Sequence, residues 1–223
     1  MFRSLNSSLE FSDRHAAGRA LAERLNAFAG RGDVVVLALP RGGVPVAYEV
    51  AHVLNAPLDV FVVRKLGVPG HEELAMGAIA SGDVRVLNQE VLDWYRLSNA
   101  DVEAAARRER AELERRELLY RGSRPLTTIE GRIVILIDDG LATGSTMRAA
   151  VEAVRRLKPS RIVVAVPVGA RDTCEEFRRI ADDVVCVMSP VSFSAVGQWY
   201  RDFSQTTDEE VKRLLADVGD RSA

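Results

Sequence analysis

The chain has 223 residues, 47% hydrophobic and 28% charged, a balance that suits one large globular domain with a buried core. A net charge of -2 removes the electrostatic reason to expect DNA or RNA, because phosphate backbones are bound mainly by clustered Lys and Arg. Cys174 and Cys186 are the only cysteines, which implies neither a disulfide framework nor a zinc knuckle.

The amino-terminal stretch Met1 to Glu10 lacks the apolar core of a signal peptide. No run of residues is long and apolar enough for a membrane span. The expectation is a soluble cytoplasmic protein with no membrane partner.

Apolar residues at Ala17, Leu21, Leu25 and Phe28 predict a helix over Asp13 to Ala29, with Ser12 as its cap and Gly30 as its stop. Val34 to Leu39 is an uninterrupted apolar run, the mark of a parallel strand covered on both faces, and Gly42 to Leu54 reads as the following helix. Leu58 to Val63 predicts a second strand.

Turn chemistry at Gly67-Val-Pro-Gly70 interrupts this alternation, and Leu74 to Leu87 reads as two short strands around Ser81-Gly82-Asp83, a mobile β-arm. Asn99 to Tyr120, dense in Ala, Glu and Arg, predicts a long solvent-flanked helix.

Strand Ile133 to Ile137, helix Ser145 to Leu157, strand Arg161 to Val166, helix Asp172 to Ile180 and strand Asp183 to Val187 complete the series. The succession predicts an α/β fold: a doubly wound, mainly parallel sheet with helices on both faces and ligands at the carboxyl ends of its strands. One domain over 1-223 is expected, with a lid at about 66-90, a helical insertion at about 90-121 and a small C-terminal hood at about 189-205.

Residues 134 to 146, Val-Ile-Leu-Ile-Asp-Asp-Gly-Leu-Ala-Thr-Gly-Ser-Thr, carry the chemistry. Asp138 and Asp139 would sit at the end of a central strand, facing the ligand crevice. Thr143, Gly144, Ser145 and Thr146 follow where the loop enters a helix, so amides, hydroxyls and the positive helix end suit a phosphate. Carboxylates accept hydrogen bonds from vicinal hydroxyls, so the implied ligand is a phosphorylated sugar. A Walker A loop would need Lys before the Ser; here Gly144 stands there.

This stretch resembles the phosphoribosyl pyrophosphate (PRPP) motif of the type I phosphoribosyltransferases. The resemblance implies that Asp138 and Asp139 hold the ribose hydroxyls and that Ala142, Thr143, Gly144, Ser145 and Thr146 hold the 5-phosphate. Leu39-Pro-Arg-Gly-Gly43 stands where family members place a pyrophosphate loop, which would give Arg41, Gly42 and Gly43 that role. Alone, Arg-Gly-Gly fits an ordinary strand-to-helix turn equally well.

Arg64 and Lys65 end the predicted second strand at the same rim. They would screen pyrophosphate, or else form a solvated basic pair, and Gly67 to Glu73 resembles the family's mobile lid.

The reaction implied is displacement of pyrophosphate from ribose C1 by a nitrogen nucleophile, with catalysis by Asp138, Asp139 and Arg41. Magnesium would be held by Asp138 and Asp139 directly or through water. A nucleobase acceptor, a role in nucleotide metabolism and a homodimer follow from the same resemblance.

The acceptor would meet the C-terminal hood, with Phe193, Trp199 and Tyr200 stacking on a planar base and Gln198 reading its edge. The same aromatics equally fit a tail that covers the sheet. Ala142 stands where hypoxanthine-guanine enzymes carry an Asp, which argues against a 6-oxopurine. Arg64 to Gly67 and Gly197 to Tyr200 are shared with a group of bacterial phosphoribosyltransferase-domain proteins. Two alternatives stay open: a non-catalytic PRPP-binding regulator, and a hydrolase giving the ribosyl group to water.

Other signals lead nowhere. His71-Glu72-Glu73 lacks the second His of a zinc protease, His15 and His52 have no ligand-spaced partners, and the sequence contains no Gly-x-Ser-x-Gly elbow.

Overall fold

A computed structural model describes residues 10-219; residues 1-9, most of the polar amino-terminal stretch read above, and 220-223 lie outside it. The first sheet has five parallel strands in the order β2-β1-β6-β7-β8. They are β1 (Val34–Ala38), β2 (Leu58–Val60), β6 (Ile133–Ile137), β7 (Arg161–Val168) and β8 (Asp183–Met188). Every residue of β1 and β6 is buried, as expected of strands whose two faces are both covered.

Alternation along these strands divides the core. Val34, Val36, Ala38, Ile133, Ile135 and Ile137 face helices α1 (Arg14–Arg24), α2 (Gly43–Leu54) and α7 (Asp208–Gly219). Val35, Leu37, Val134 and Leu136 face α5 (Ser145–Arg156) and α6 (Arg171–Phe177) on the other side. The doubly wound α/β architecture is therefore present.

β1 and β6 pair in parallel from Val34↔Ile133 to Ala38↔Ile137, so their carboxyl ends lie side by side. From β1 the chain crosses through α2 to β2 on one side, and from β6 through α5 to β7 on the other. The crevice between β1 and β6 is thus the topological switch point, where open α/β sheets bind ligands.

Several boundaries differ from expectation. α1 is capped by Asp13, whose carboxylate accepts from the Ala16 amide at 2.7 Å, rather than by Ser12. It ends at Arg24, and a short 3-10 turn over Asn26–Phe28 leads to Gly30 at φ +70. The expected second strand stops at Val60, and Val63–Val68 instead begins a separate antiparallel sheet as β3. α6 stops at Phe177, short of Ile180.

β3 pairs with β4 (His71–Ala80), and β4 with β5 (Val84–Leu87). The expected β-arm is therefore a three-stranded sheet. One face, through Leu66, Val68, Met76 and Ile79, packs on α4 (Asn99–Arg121) at Val102, Ala105, Ala106 and Leu113. The other face, through Ala78, Ala80, Val84 and Val86, joins the α5 side of the main core. Burial on both faces holds this sheet in place, and its longest exposed run is the tip at 69-74. Helix α4 accordingly buries one stripe, and Ser98 opens it with a capping box to Asp101.

Two helices have no counterpart among the expected elements: α3 (Gln89–Trp94) and α7. In α7, Val211, Leu214, Leu215 and Val218 carry the helical spacing and enter the main core. A buried ionic knot ties the two sheets together. Asp59 of β2 accepts from Arg121 Nε at 3.1 Å and from the Thr127 amide at 2.9 Å. Arg121 also donates to the Val60 carbonyl and to Ser81 Oγ, which accepts from the Val62 amide. Among the described residues no helix is long and apolar enough to cross a membrane.

Candidate active site

Asp138 and Asp139 follow β6 directly at the switch point. The Asp139 amide donates to Asp138 Oδ1 at 2.9 Å, and Arg14 Nε of α1 donates to Asp139 Oδ2 at 2.8 Å. Burial pushes the Asp138 carboxyl well above the usual carboxylate range, and the neighbouring Asp139 charge pushes it further. Burial also raises Asp139, against the opposing pull of Arg14.

The loop after β1 lies directly against this pair. A Cβ at Gly42 would sit 2.0 Å from Asp139 Oδ2, and one at Gly43 would sit 2.7 Å from the Ile137 carbonyl. Only glycine allows the two loops to approach so closely. The Pro40-Arg41 peptide between them and β1 is cis. Arg41 pairs with Asp208 at the start of α7, its Nη1 3.8 Å from the carboxylate.

The loop after Asp139 is fixed from α6 and β7. The Leu141 amide donates to the Val168 carbonyl at 2.9 Å, and Thr173 Oγ1 donates to the Ala142 carbonyl at 2.7 Å. Gly144 has φ +71, and a Cβ there would come within 2.5 Å of the Phe177 ring. It caps α5 without a side-chain hydrogen bond, so the first-turn amides have no side-chain cap to satisfy them, the condition under which a helix start receives an anion. Gly144→Ala combines left-handed backbone strain with a clash. It is expected to lower stability by about 2 kcal/mol, measured by urea denaturation, and to displace Ser145 and Thr146.

Residues 9–200 match the family model of the phosphoribosyl transferase domain. The chain belongs to the phosphoribosyltransferase family. It is 50% identical over 205 residues to two Mycobacterium tuberculosis proteins, Rv0571c of strain H37Rv and MT0597 of strain CDC 1551, both provisionally named phosphoribosyl transferase. The matched region covers 92% of this chain and 46% of each relative, so the chain spans about half their length. TT1426 from Thermus thermophilus has a similar crystal structure, with a TM-score of 0.83 and 44% identity over 93% of this chain and 98% of that one. AQ2163 from Aquifex aeolicus, 11% identical over 82% of this chain and 78% of its own, shares the fold at a TM-score of 0.51.

Within this family member, the basic pair Arg64 and Lys65 lies inside β3 rather than at the end of β2, and strand alternation sends the two to opposite faces. Arg64 pairs with Glu109 of α4 at 2.6 Å. Lys65 Nζ donates to Ser145 Oγ at 3.3 Å across a cavity of about 230 Å³, also lined by Gly77, Asn88, Arg148 and Glu152.

The aromatics of the hood largely pack on one another. Phe193 and Trp199 stack with centroids 6.3 Å apart, and Trp199 Nε1 is buried with no hydrogen-bond partner among the described residues. Tyr200 is buried, and its hydroxyl donates to the Asp139 carbonyl at 2.5 Å. Gln198 is exposed. Val196 rests on Gly140, where a Cβ would come within 2.4 Å of it, so the hood reaches the rim of the carboxylate loop.

Arg14 was not among the site residues expected from the sequence. It lies 125 positions from Asp139, and no local pattern marks it.

The donor set suits magnesium. No group of three or more His, Cys, Asp or Glu among the described residues could enclose a metal. Magnesium is commonly held by one or two carboxylates, with substrate phosphate oxygens and water completing its shell, and Asp138 and Asp139 supply such a pair.

Proposed function

We propose that this phosphoribosyltransferase moves ribose 5-phosphate from PRPP to a nitrogen acceptor, a nucleobase by class, and releases pyrophosphate. The observation that carries the reading is the meeting of two glycine-dependent loops on a carboxylate pair at the switch point. A sugar bearing a phosphate at one end and a pyrophosphate at the other matches that arrangement.

In this reading Asp138 and Asp139 accept from the ribose 2- and 3-hydroxyls, and Ala142 to Thr146 cradle the 5-phosphate. Gly42 and Gly43 bring their amides to the pyrophosphate, and Arg41 swings from Asp208 to join them. The C1–oxygen bond to pyrophosphate breaks as the C1–nitrogen bond forms, through an oxocarbenium-like state. Magnesium, when bound by Asp138 and Asp139, supplies positive charge to the leaving pyrophosphate. The segment 67-73, exposed from 69 onward, serves as the lid that excludes water, and 189-205 as the acceptor hood.

Lys65, on the face of β3 toward Ser145, is assigned here to the phosphate loop, and Arg64 is committed to Glu109. Lys65→Met is expected to weaken ribose 5-phosphate binding about tenfold, in line with one lost charged hydrogen bond, while Arg64→Met changes it less than twofold. Isothermal titration calorimetry on both variants decides between them.

The test of the function is pyrophosphate release from magnesium and PRPP, with and without a pool of nucleobases. Base-dependent release supports the transfer, and base-independent release would point to a hydrolase. PRPP binding without release would replace the transferase with a PRPP-binding regulator, and absence of PRPP binding would end the reading.

A further inference from the structure

We propose that Arg14 is a positioning residue that joins the ribose carboxylate Asp139 to the hood segment 199-204, so that occupancy at one is felt at the other. The inference rests on the PRPP reading and adds a coupling between its two substrate sides.

The Arg14 guanidinium meets four groups, the outermost being the Tyr200 ring at 5.9 Å. Its Nε donates to Asp139 Oδ2 at 2.8 Å, one terminal nitrogen donates to the Ser204 carbonyl at 2.7 Å, and its centre lies 3.9 Å from the centroid of the Phe203 ring. The side chain is only 11% exposed, so water competes weakly for these contacts. The same segment grips Asp139 a second time, through the hydroxyl of Tyr200 on its carbonyl.

Asp139 is therefore tied to the hood by side chain and backbone together. Aromatic contacts continue outward from Tyr200 to Phe11 at 5.7 Å and to Phe203 at 5.0 Å. A planar guanidinium can donate in two directions while stacking on a ring, and a lysine ammonium cannot. Reorientation of Asp139 toward ribose hydroxyls must redistribute the Arg14 contacts to Ser204 and Phe203, and movement of the hood over an acceptor must act back on Asp139. Such coupling is reciprocal in binding free energy.

Trp199 supplies the readout. The other tryptophan, Trp94, is 83% exposed on α3, so a Trp94→Phe background leaves Trp199 as the sole indole reporter. In that background, magnesium and PRPP are titrated by calorimetry and by Trp199 emission.

The expected result is a change in Trp199 emission on PRPP binding. Arg14→Met is expected to weaken PRPP about tenfold and, at saturating PRPP, to abolish the emission change. Arg14→Lys should recover part of the affinity but only part of the emission change. An undiminished response in either variant, or PRPP binding without any Trp199 response in the background protein, overturns the coupling.

If the background protein binds no PRPP, the functional reading fails by itself. The Arg14–Asp139 link is then decided by an unfolding cycle of Arg14→Met and Asp139→Asn. Non-additive losses support it, and additive losses overturn it.

Discussion

Replacing Asp138 and Asp139 together by Asn is expected to weaken PRPP binding by about a hundredfold to ten-thousandfold. Each carboxylate would accept from a ribose hydroxyl, and a hydrogen bond to a charged group contributes about 1.5–3 kcal/mol. Asn keeps the shape, and its Oδ1 at position 138 can still accept from the residue 139 amide, so the loop should stay folded. Calorimetry with PRPP measures the loss; unchanged affinity would remove the carboxylates from the site.

The effect on stability runs the other way at Asp138, which is buried and raised above the usual carboxylate range by burial and by its neighbour. A folded pKa above the unfolded one means that the stabilisation from the protonated form is fully present below the unfolded value and is lost as pH rises through the folded value. Asp138→Asn, which cannot ionise, should therefore melt at or above the wild-type temperature near neutral pH, and the gap should narrow on acidification through that window. Melting both proteins across a pH series checks the sign.

The second large effect concerns the fold. Arg121→Met is expected to cost about 3–5 kcal/mol in urea denaturation, because it leaves Asp59 buried without its cation. Arg121 is 8% exposed and Asp59 is 5% exposed, so water cannot readily take the place of the guanidinium. A compensating Asp59→Asn should return part of that loss, since the uncompensated charge is the main penalty and the Thr127 amide can still donate to a carbonyl oxygen. No recovery in the double variant would mean that Arg121 acts mainly through packing of its stem and through Ser81.

How much of this could be read beforehand depends on range along the chain. The apolar runs Val34–Ala38 and Ile133–Ile137 announced covered parallel strands, because burial of both faces leaves no polar alternation to confuse the pattern. The stretch from Asp138 to Thr146 announced a small-residue loop between strand and helix, since two acids and a glycine-hydroxyl run are contiguous in sequence. β3 was less legible. Its Val-Arg-Lys-Leu-Gly-Val sequence alternates poorly, and its pairing with β4 shifts register at Gly67. α7 carried the right spacing at Val211, Leu214, Leu215 and Val218, and that signal would have sufficed to place it.

The sequence by itself determined the doubly wound class, the positions of the two small-residue loops and the family resemblance, all of which are local patterns set by periodicity and by adjacent residues. Only the tertiary structure decided that Arg64 faces Glu109 while Lys65 faces Ser145, that Tyr200 turns its hydroxyl onto the Asp139 backbone carbonyl, and that Arg14 closes on the Asp139 carboxylate. Those contacts join residues 45 to 125 positions apart. Hydrogen bonds and ion pairs depend on distance and direction in space, and at such separations only the packed sheets and helices bring the partners together.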